Sequence, residues 1–123
     1  MQTYHMFKTE KLDQILGDRR LENEKERQAL LQRVMQWLDD HALEYGIHSA
    51  YIFGSLSQPY RFHANSDIDL AVEQINATDL FAVIGFLSEA MGRDVDVVQL
   101  EKCHFGERIR QTGIQWTATN SSS

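Results

Sequence analysis

Gly54 and Ser55 are followed, after eleven residues, by Asp67-Ile68-Asp69, and further on by Asp96 within Val95-Asp96-Val97-Val98. On a strand, residues two apart point to the same face. Asp67 and Asp69 are therefore expected side by side, with Ile68 and Leu70 turned to the core. Two carboxylates so placed repel unless a cation lies between them or one is protonated. A hard divalent ion such as Mg²⁺ takes oxygen ligands and commonly keeps water and substrate phosphates in its remaining positions. One Asp-x-Asp alone is common at turns and strand ends, so the third carboxylate matters. Asp96 interrupts an apolar run, where an unpartnered charge is costly. If its strand adjoins that of Asp67 and Asp69, all three meet on one face. Three carboxylates can hold one or two metal ions that clamp the attacking and departing oxygens of an in-line displacement. Asp96 would then lie nearest the attacking hydroxyl, as general base or metal ligand. Gly54 allows a sharp exit from a strand and close approach of backbone to a ligand. Ser55 adds a hydroxyl, and N–H groups at the start of a following helix would face an anion. The set points to a nucleoside triphosphate and a divalent metal positioned for attack at phosphorus.

These residues need rigid elements to hold them. Ser49 to Phe53 (SAYIF) is short, aromatic and β-branched, and runs into Gly54, as a buried strand ending in a tight turn would. Asp67 to Val72 and Arg93 to Leu100 read as two further strands, and Ile114 to Thr117 as an edge strand. Leu56 to Asn65 is polar and holds the only proline, Pro59, so a turn and loop are expected there. Asn23, with Glu26 three residues on, reads as a capping box opening a helix over residues 23–45 that stops at Gly46. Leu31, Val34, Leu38 and Tyr45 give it an apolar stripe, widened by Leu30 and Trp37. Residues 1–22 are weakly patterned, with two helical turns predicted from Thr9 to Leu16 and Gly17 as a stop. Thr78 to Met91 predicts a helix ending at Gly92, and His104 to Gln111 a short one. Residues 118–123 read as a disordered tail. The order α-β-α-β-α-β-α predicts one α/β domain over residues 23–117, a small sheet with helices on one side.

Composition narrows the function classes. The 123 residues suffice for one core, and 42% hydrophobic content is ordinary for a globular chain. No apolar run reaches the ~20 residues of a membrane span, the N-terminus does not read as a secretory signal, and Cys103 is the only cysteine; a cytoplasmic setting is expected. The net charge of −6 is concentrated between Asp67 and Glu101, with eight acidic residues against Arg93 alone. Such a surface repels a phosphate backbone, which argues against direct nucleic-acid binding. His5, His41, His48, His63 and His104 show no ligand spacing. His63 lies in the loop beside the aspartates, Asp94 reads as surface, and Arg108 and Arg110 read equally as phosphate contacts or as a solvated helix face.

Strand, Gly-Ser, polar loop, then Ser66-Asp67-Ile68-Asp69-Leu70-Ala71-Val72 and later Val95-Asp96-Val97-Val98 resembles the minimal nucleotidyltransferases of the polymerase-β-like superfamily, over roughly Ser49 to Ile114. The resemblance implies a mixed sheet flanked by helices. It implies Asp67, Asp69 and Asp96 as catalytic metal ligands for Mg²⁺, and Gly54, Ser55 and Ser66 at the triphosphate of ATP. The family usually carries a basic residue just after Gly-Ser and another glycine beyond it; here the stretch is Leu56-Ser57-Gln58-Pro59, and the loop to Asp67 is one residue longer. Arg61 is the candidate replacement for the missing phosphate contact. With 27 residues after Asp96, the acceptor site is expected on another chain, in a homo- or hetero-oligomer. Stand-alone members are paired with a helical HEPN-family toxin, as antitoxins. The resemblance thus implies transfer of AMP from ATP to a partner hydroxyl, with tyrosine the implied acceptor. The alternatives are a binding module that neutralises its partner by occlusion, and an enzyme modifying a small molecule of aminoglycoside type.

Overall fold

Burial along the first helix recurs at helical spacing, through Glu24, Arg27, Leu30, Val34, Trp37 and Leu38. The structure, a computed structural model, describes residues 2–119, with side chains from residue 10 onward. Helix α1 spans Gln2–His41 and continues into a 3-10 turn, Ala42–Tyr45, closed by Gly46 with φ 79°. The expected stop at Gly17 and start at Asn23 are therefore both overturned. A glycine inside a helix costs only about 1 kcal/mol against alanine, too little to end one whose neighbours are good helix formers. Nothing lies within 4 Å of a Cβ built at Gly17. Residues 10–22 are exposed throughout, so this stretch of α1 projects from the body, and packing begins at Glu24. The tail expected to be disordered falls largely on residues 120–123, outside the described residues.

The strands are β1 (Ser49–Phe53), β2 (Ile68–Val72), β3 (Val95–Gln99) and β4 (Ile114–Thr117), in sheet order β3-β2-β1-β4. β1 runs antiparallel to β2 and β4, while β2 and β3 are parallel. A parallel pair needs a crossover, and α2 (Leu80–Met91) supplies it, ending on Gly92. Helix α3 (Gly106–Thr112) leads into β4.

Alternation along the strands sorts the side chains. Ala50, Ile52, Ile68, Leu70, Val72 and Val97 join Val34, Leu38, Val83 and Leu87 in the main core under α1 and α2. Tyr51 and Ala71, on the other face, pack with Leu100 and Ile109 of the α3 region. Helices thus lie on both faces rather than on one. The physical reason is that Tyr51 and Ala71 are apolar at positions a one-sided sheet would leave to water, and the α3 region covers them. Polar ties also fix α1 to the rest, among them Trp116 Nε1 donating to Asp39 Oδ1 at 2.7 Å and Arg33 donating to the Ala90 carbonyl at 2.9 Å. Among the described residues, no helix is long and apolar enough to cross a membrane.

Candidate active site

Asp69 pairs in register with Phe53 on one side and with Asp96 on the other. Register partners on neighbouring strands lie about 4.8 Å apart and share a face, so the two carboxylates stand next to each other at the end of β1 and the starts of β2 and β3. The face is that of Ala71 and Val98, which pack with Ile109 of α3. Asp67 falls just outside the ladder, which begins where Ile68 N–H donates to the Asp94 carbonyl at 2.9 Å. Asp69 is half-buried, while Asp67, Asp94 and Asp96 are exposed. The expectation that Asp96 sits in a costly apolar setting is corrected: its neighbours Val95 and Val97 face the other way, and only register makes it part of the site. Burial raises the Asp69 pKa above its usual value, with the charges of Asp96 and then Asp67 adding to the rise.

Gly54 turns out of β1 with φ 72° into a single 3-10 turn, Gly54–Ser57. A Cβ built there would overlap Asp69 Oδ2 and stand 3.2 Å from its Cγ, so only glycine lets the turn lie against the carboxylate. Ser55 is half-buried, and Ser57 Oγ donates to the Gly54 carbonyl at 2.7 Å. Leu56, where a basic residue would stand, is fully buried in the main core. A cleft of about 470 Å³ opens between this turn and α3, lined by Gly54, Ser57, Gln58, Phe105 and Arg108 among others. Arg108 is thus drawn to the turn. Arg61 is exposed and does not line that cleft. The Ser66 hydroxyl is buried and accepts the His63 N–H at 3.0 Å, which commits it to the loop. Arg110 is held by Glu73 at 2.8 Å on the far side of α3.

Sequence reasoning passed over Glu24 and Arg27. Both are buried, and the guanidinium of Arg27 donates twice to the Glu24 carboxylate, at 2.9 and 2.7 Å. Arg27 also donates to the Leu56 carbonyl at 3.0 Å, and Glu24 accepts the Tyr60 N–H at 2.7 Å. Hydrogen bonding from Arg27 lowers the Glu24 pKa to about 2, against the opposing effect of burial. Arg93 holds the other end of the loop, donating to the Ala64 and Ser66 carbonyls at 2.9 and 2.7 Å and to Glu26 at 2.7 Å. It also lies over the Phe62 ring, 4.6 Å from the centroid. Glu26 therefore serves Arg93, not a cap at Asn23. The one signal was spacing, since Glu24 and Arg27 continue the stripe of Leu30 and Val34.

The donors suit Mg²⁺ in kind: hard carboxylate oxygens, one of them with a pKa raised by burial and then by its negative neighbours. Among the described residues, no group of three His, Cys, Asp or Glu side chains is gathered closely enough to hold a metal ion. Mutual repulsion keeps bare carboxylates apart, and Mg²⁺ is commonly held by one or two carboxylates together with substrate phosphates. The fit is to an open site completed by substrate.

Residues 36–120 match the family described as polymerase beta, nucleotidyltransferase. No curated protein matches the chain. A chain of a toxin–antitoxin crystal structure with AMP-PNP superposes with a TM-score of 0.55 at 27% identity, over 74% of this chain and 75% of that one. A mutant of the MntA-HpeT toxin–antitoxin, with two aspartates two positions apart changed to glutamate, gives 0.53 at 25% identity, over 74% and 75%. Another mutant of that complex, with a tyrosine changed to alanine, gives 0.53 at 25%, over 74% of each chain. The family match spans more than half of the sequence and includes every strand, the Gly-Ser turn and all three aspartates, and on that ground the chain belongs to the polymerase beta nucleotidyltransferase family.

Proposed function

We propose that the protein transfers AMP from ATP to a tyrosine hydroxyl of a helical HEPN-type toxin and acts as its antitoxin. The observation that carries this reading is Asp69, half-buried, level with Asp96 and directly against Gly54. In the reaction, the acceptor oxygen bonds to the α-phosphorus, the bond from that phosphorus to the bridging oxygen breaks, and pyrophosphate leaves. Asp96, exposed at the start of β3, takes the hydroxyl proton. Asp67 and Asp69 would hold Mg²⁺, whose charge offsets that of the triphosphate and the departing pyrophosphate. Gly54 and Ser55 present the turn against which phosphates rest, and Arg108 adds a cation from α3. Exposed Leu12, Ile15 and Leu16 on the projecting part of α1 support a protein partner. The neighbouring complexes support the pairing with a toxin and the use of an adenine nucleotide.

A second reading is favoured by one observation. Leu56 is turned into the core where a phosphate-binding cation would stand, which suits a module that neutralises its partner by occlusion alone. Incubation with α-labelled ATP, Mg²⁺ and the toxin separates the two. Label on the toxin, absent with Asp67→Ala or Asp69→Ala, supports transfer. Unlabelled toxin that is nonetheless bound and neutralised by both variants overturns it in favour of occlusion.

A further inference from the structure

The loop between Gly54 and Asp67 joins the two halves of the candidate site, and one turn of α1 holds it at both ends. Near the Gly-Ser turn, Arg27 grips the Leu56 carbonyl and Glu24 the Tyr60 N–H, at 3.0 and 2.7 Å. Tyr60 has φ 62°, a left-handed conformation uncommon for a residue with a side chain. The Arg20 guanidinium lies 5.1 Å from the centroid of its ring. Near the aspartates, Glu26 holds Arg93 at 2.7 Å, and Arg93 holds the carbonyls of Ala64 and Ser66, the latter immediately before Asp67. The two grips come from Glu24 and Arg27 on the one hand and Glu26 on the other, within four consecutive residues of one helix, a rigid spacing.

We infer that the Glu24–Arg27 turn of α1 is a positioning element that sets the distance between the triphosphate turn at Gly54 and the carboxylate of Asp67. The inference rests on the nucleotidyl-transfer reading and deepens it. None of Glu24, Glu26 and Arg27 lines the cleft, so they act through the loop and not on substrate. The bidentate geometry makes the identity of the cation specific: a lysine at position 27 keeps the charge but not the fork. The longer loop and the leucine after Gly-Ser find a physical counterpart here, because a turn lacking its own cation depends on being held in place.

The test uses the full chain, with Mg²⁺ and a non-hydrolysable ATP analogue as probe. Glu24→Gln should speed amide exchange at Tyr60 and weaken analogue binding, each about tenfold, the cost of one charge-assisted hydrogen bond. Arg27→Lys should not recover wild-type affinity. Glu26→Ala removes only the exposed partner of Arg93; it should leave the melting temperature unchanged while speeding exchange at Ser66 and lowering affinity about threefold. If Glu24→Gln does not fold, Glu26→Ala decides. A wild type that binds the analogue, with folded variants that loosen the loop yet bind it equally well, overturns the positioning role alone. A wild type that binds no analogue with Mg²⁺ overturns the nucleotidyl-transfer reading itself, whatever the loop does.

Discussion

Glu24 enters the protein with its carboxylate taken up by Arg27, Gln28 and the Tyr60 N–H. Asp69, half-buried on β2, has no hydrogen-bond partner for its side chain among the described residues and feels the charges of two further aspartates. Their proton affinities move in opposite directions, Glu24 down to about 2 and Asp69 up. Burial opposes the charged form in both cases; what differs is the company. A fully satisfied pair makes a rigid fixture, whereas a carboxylate among like charges is chemically suited to a cation. That contrast separates scaffold from chemistry in a domain whose acidic residues otherwise look alike.

The sharpest way to break the contrast is to remove one member of each kind. Asp67→Ala or Asp69→Ala should lower transfer to the partner by on the order of a thousandfold, with the chain still folded, as labelled-ATP assays and circular dichroism would register. Glu24→Ala should do the reverse. Leaving Arg27 buried and unpaired is expected to cost about 3–5 kcal/mol, seen as an earlier urea midpoint, with transfer lost only as folded protein is lost or its loop loosened. If Asp69→Ala unfolds the chain and Glu24→Ala does not, the two roles have been assigned the wrong way round.

Acidity should sharpen the same distinction. The folded pKa of Glu24 lies below the usual 4.5, so its stabilising effect is complete above that pH and fades as pH falls towards about 2. Asp69 runs the other way. With its folded pKa above the usual 3.8, its contribution is favourable below that pH and is lost as pH rises through the raised value. At neutral pH the ionised side chain therefore destabilises the fold. Asp69→Asn should be more stable than wild type by roughly 0.5–1 kcal/mol at pH 7, the gain vanishing in acid. Mg²⁺ should raise the melting temperature of wild type but not of Asp69→Asn. A destabilised Asp69→Asn at neutral pH would show that the carboxylate is a structural group like Glu24.

The same contrast explains which features were legible beforehand. The strands announced themselves because SAYIF, IDLAV and VDVVQ carry β-branched residues and alternation, which are local properties. The register of Asp69 with Asp96 was legible because two neighbouring strands with matched alternation predict a shared face. Glu24 and Arg27 were not, because an ion pair is buried only by what packs on it, here a loop some thirty residues away. The Asn23 and Glu26 pattern looked like a cap for the same reason: local spacing was right, but Glu26 finds Arg93 across the fold. Gly17 misled because its small helical penalty was read as a stop. The second helical layer escaped notice because α3 is short, and its burial of Tyr51 and Ala71 is a tertiary fact.

The smallest expected effect concerns the cation missing after Gly-Ser. Two arginines compete to replace it, Arg61 within the loop and Arg108 on α3. Only Arg108 lines the cleft against Gly54 and Ser57, and neither guanidinium makes a hydrogen bond among the described residues. Arg108→Ala should raise the KM for ATP about three- to tenfold with little change in kcat, because an exposed cation contributes less than a buried one to a phosphate. Arg61→Ala should change KM by less than about twofold. The reverse ranking would mean that the loop closes over the nucleotide from the Arg61 side, and that the cleft beneath α3 is not where the phosphates lie. Equal and negligible effects would leave the phosphates to the backbone of the turn and the metal ion, making the grip of α1 on that turn all the more necessary.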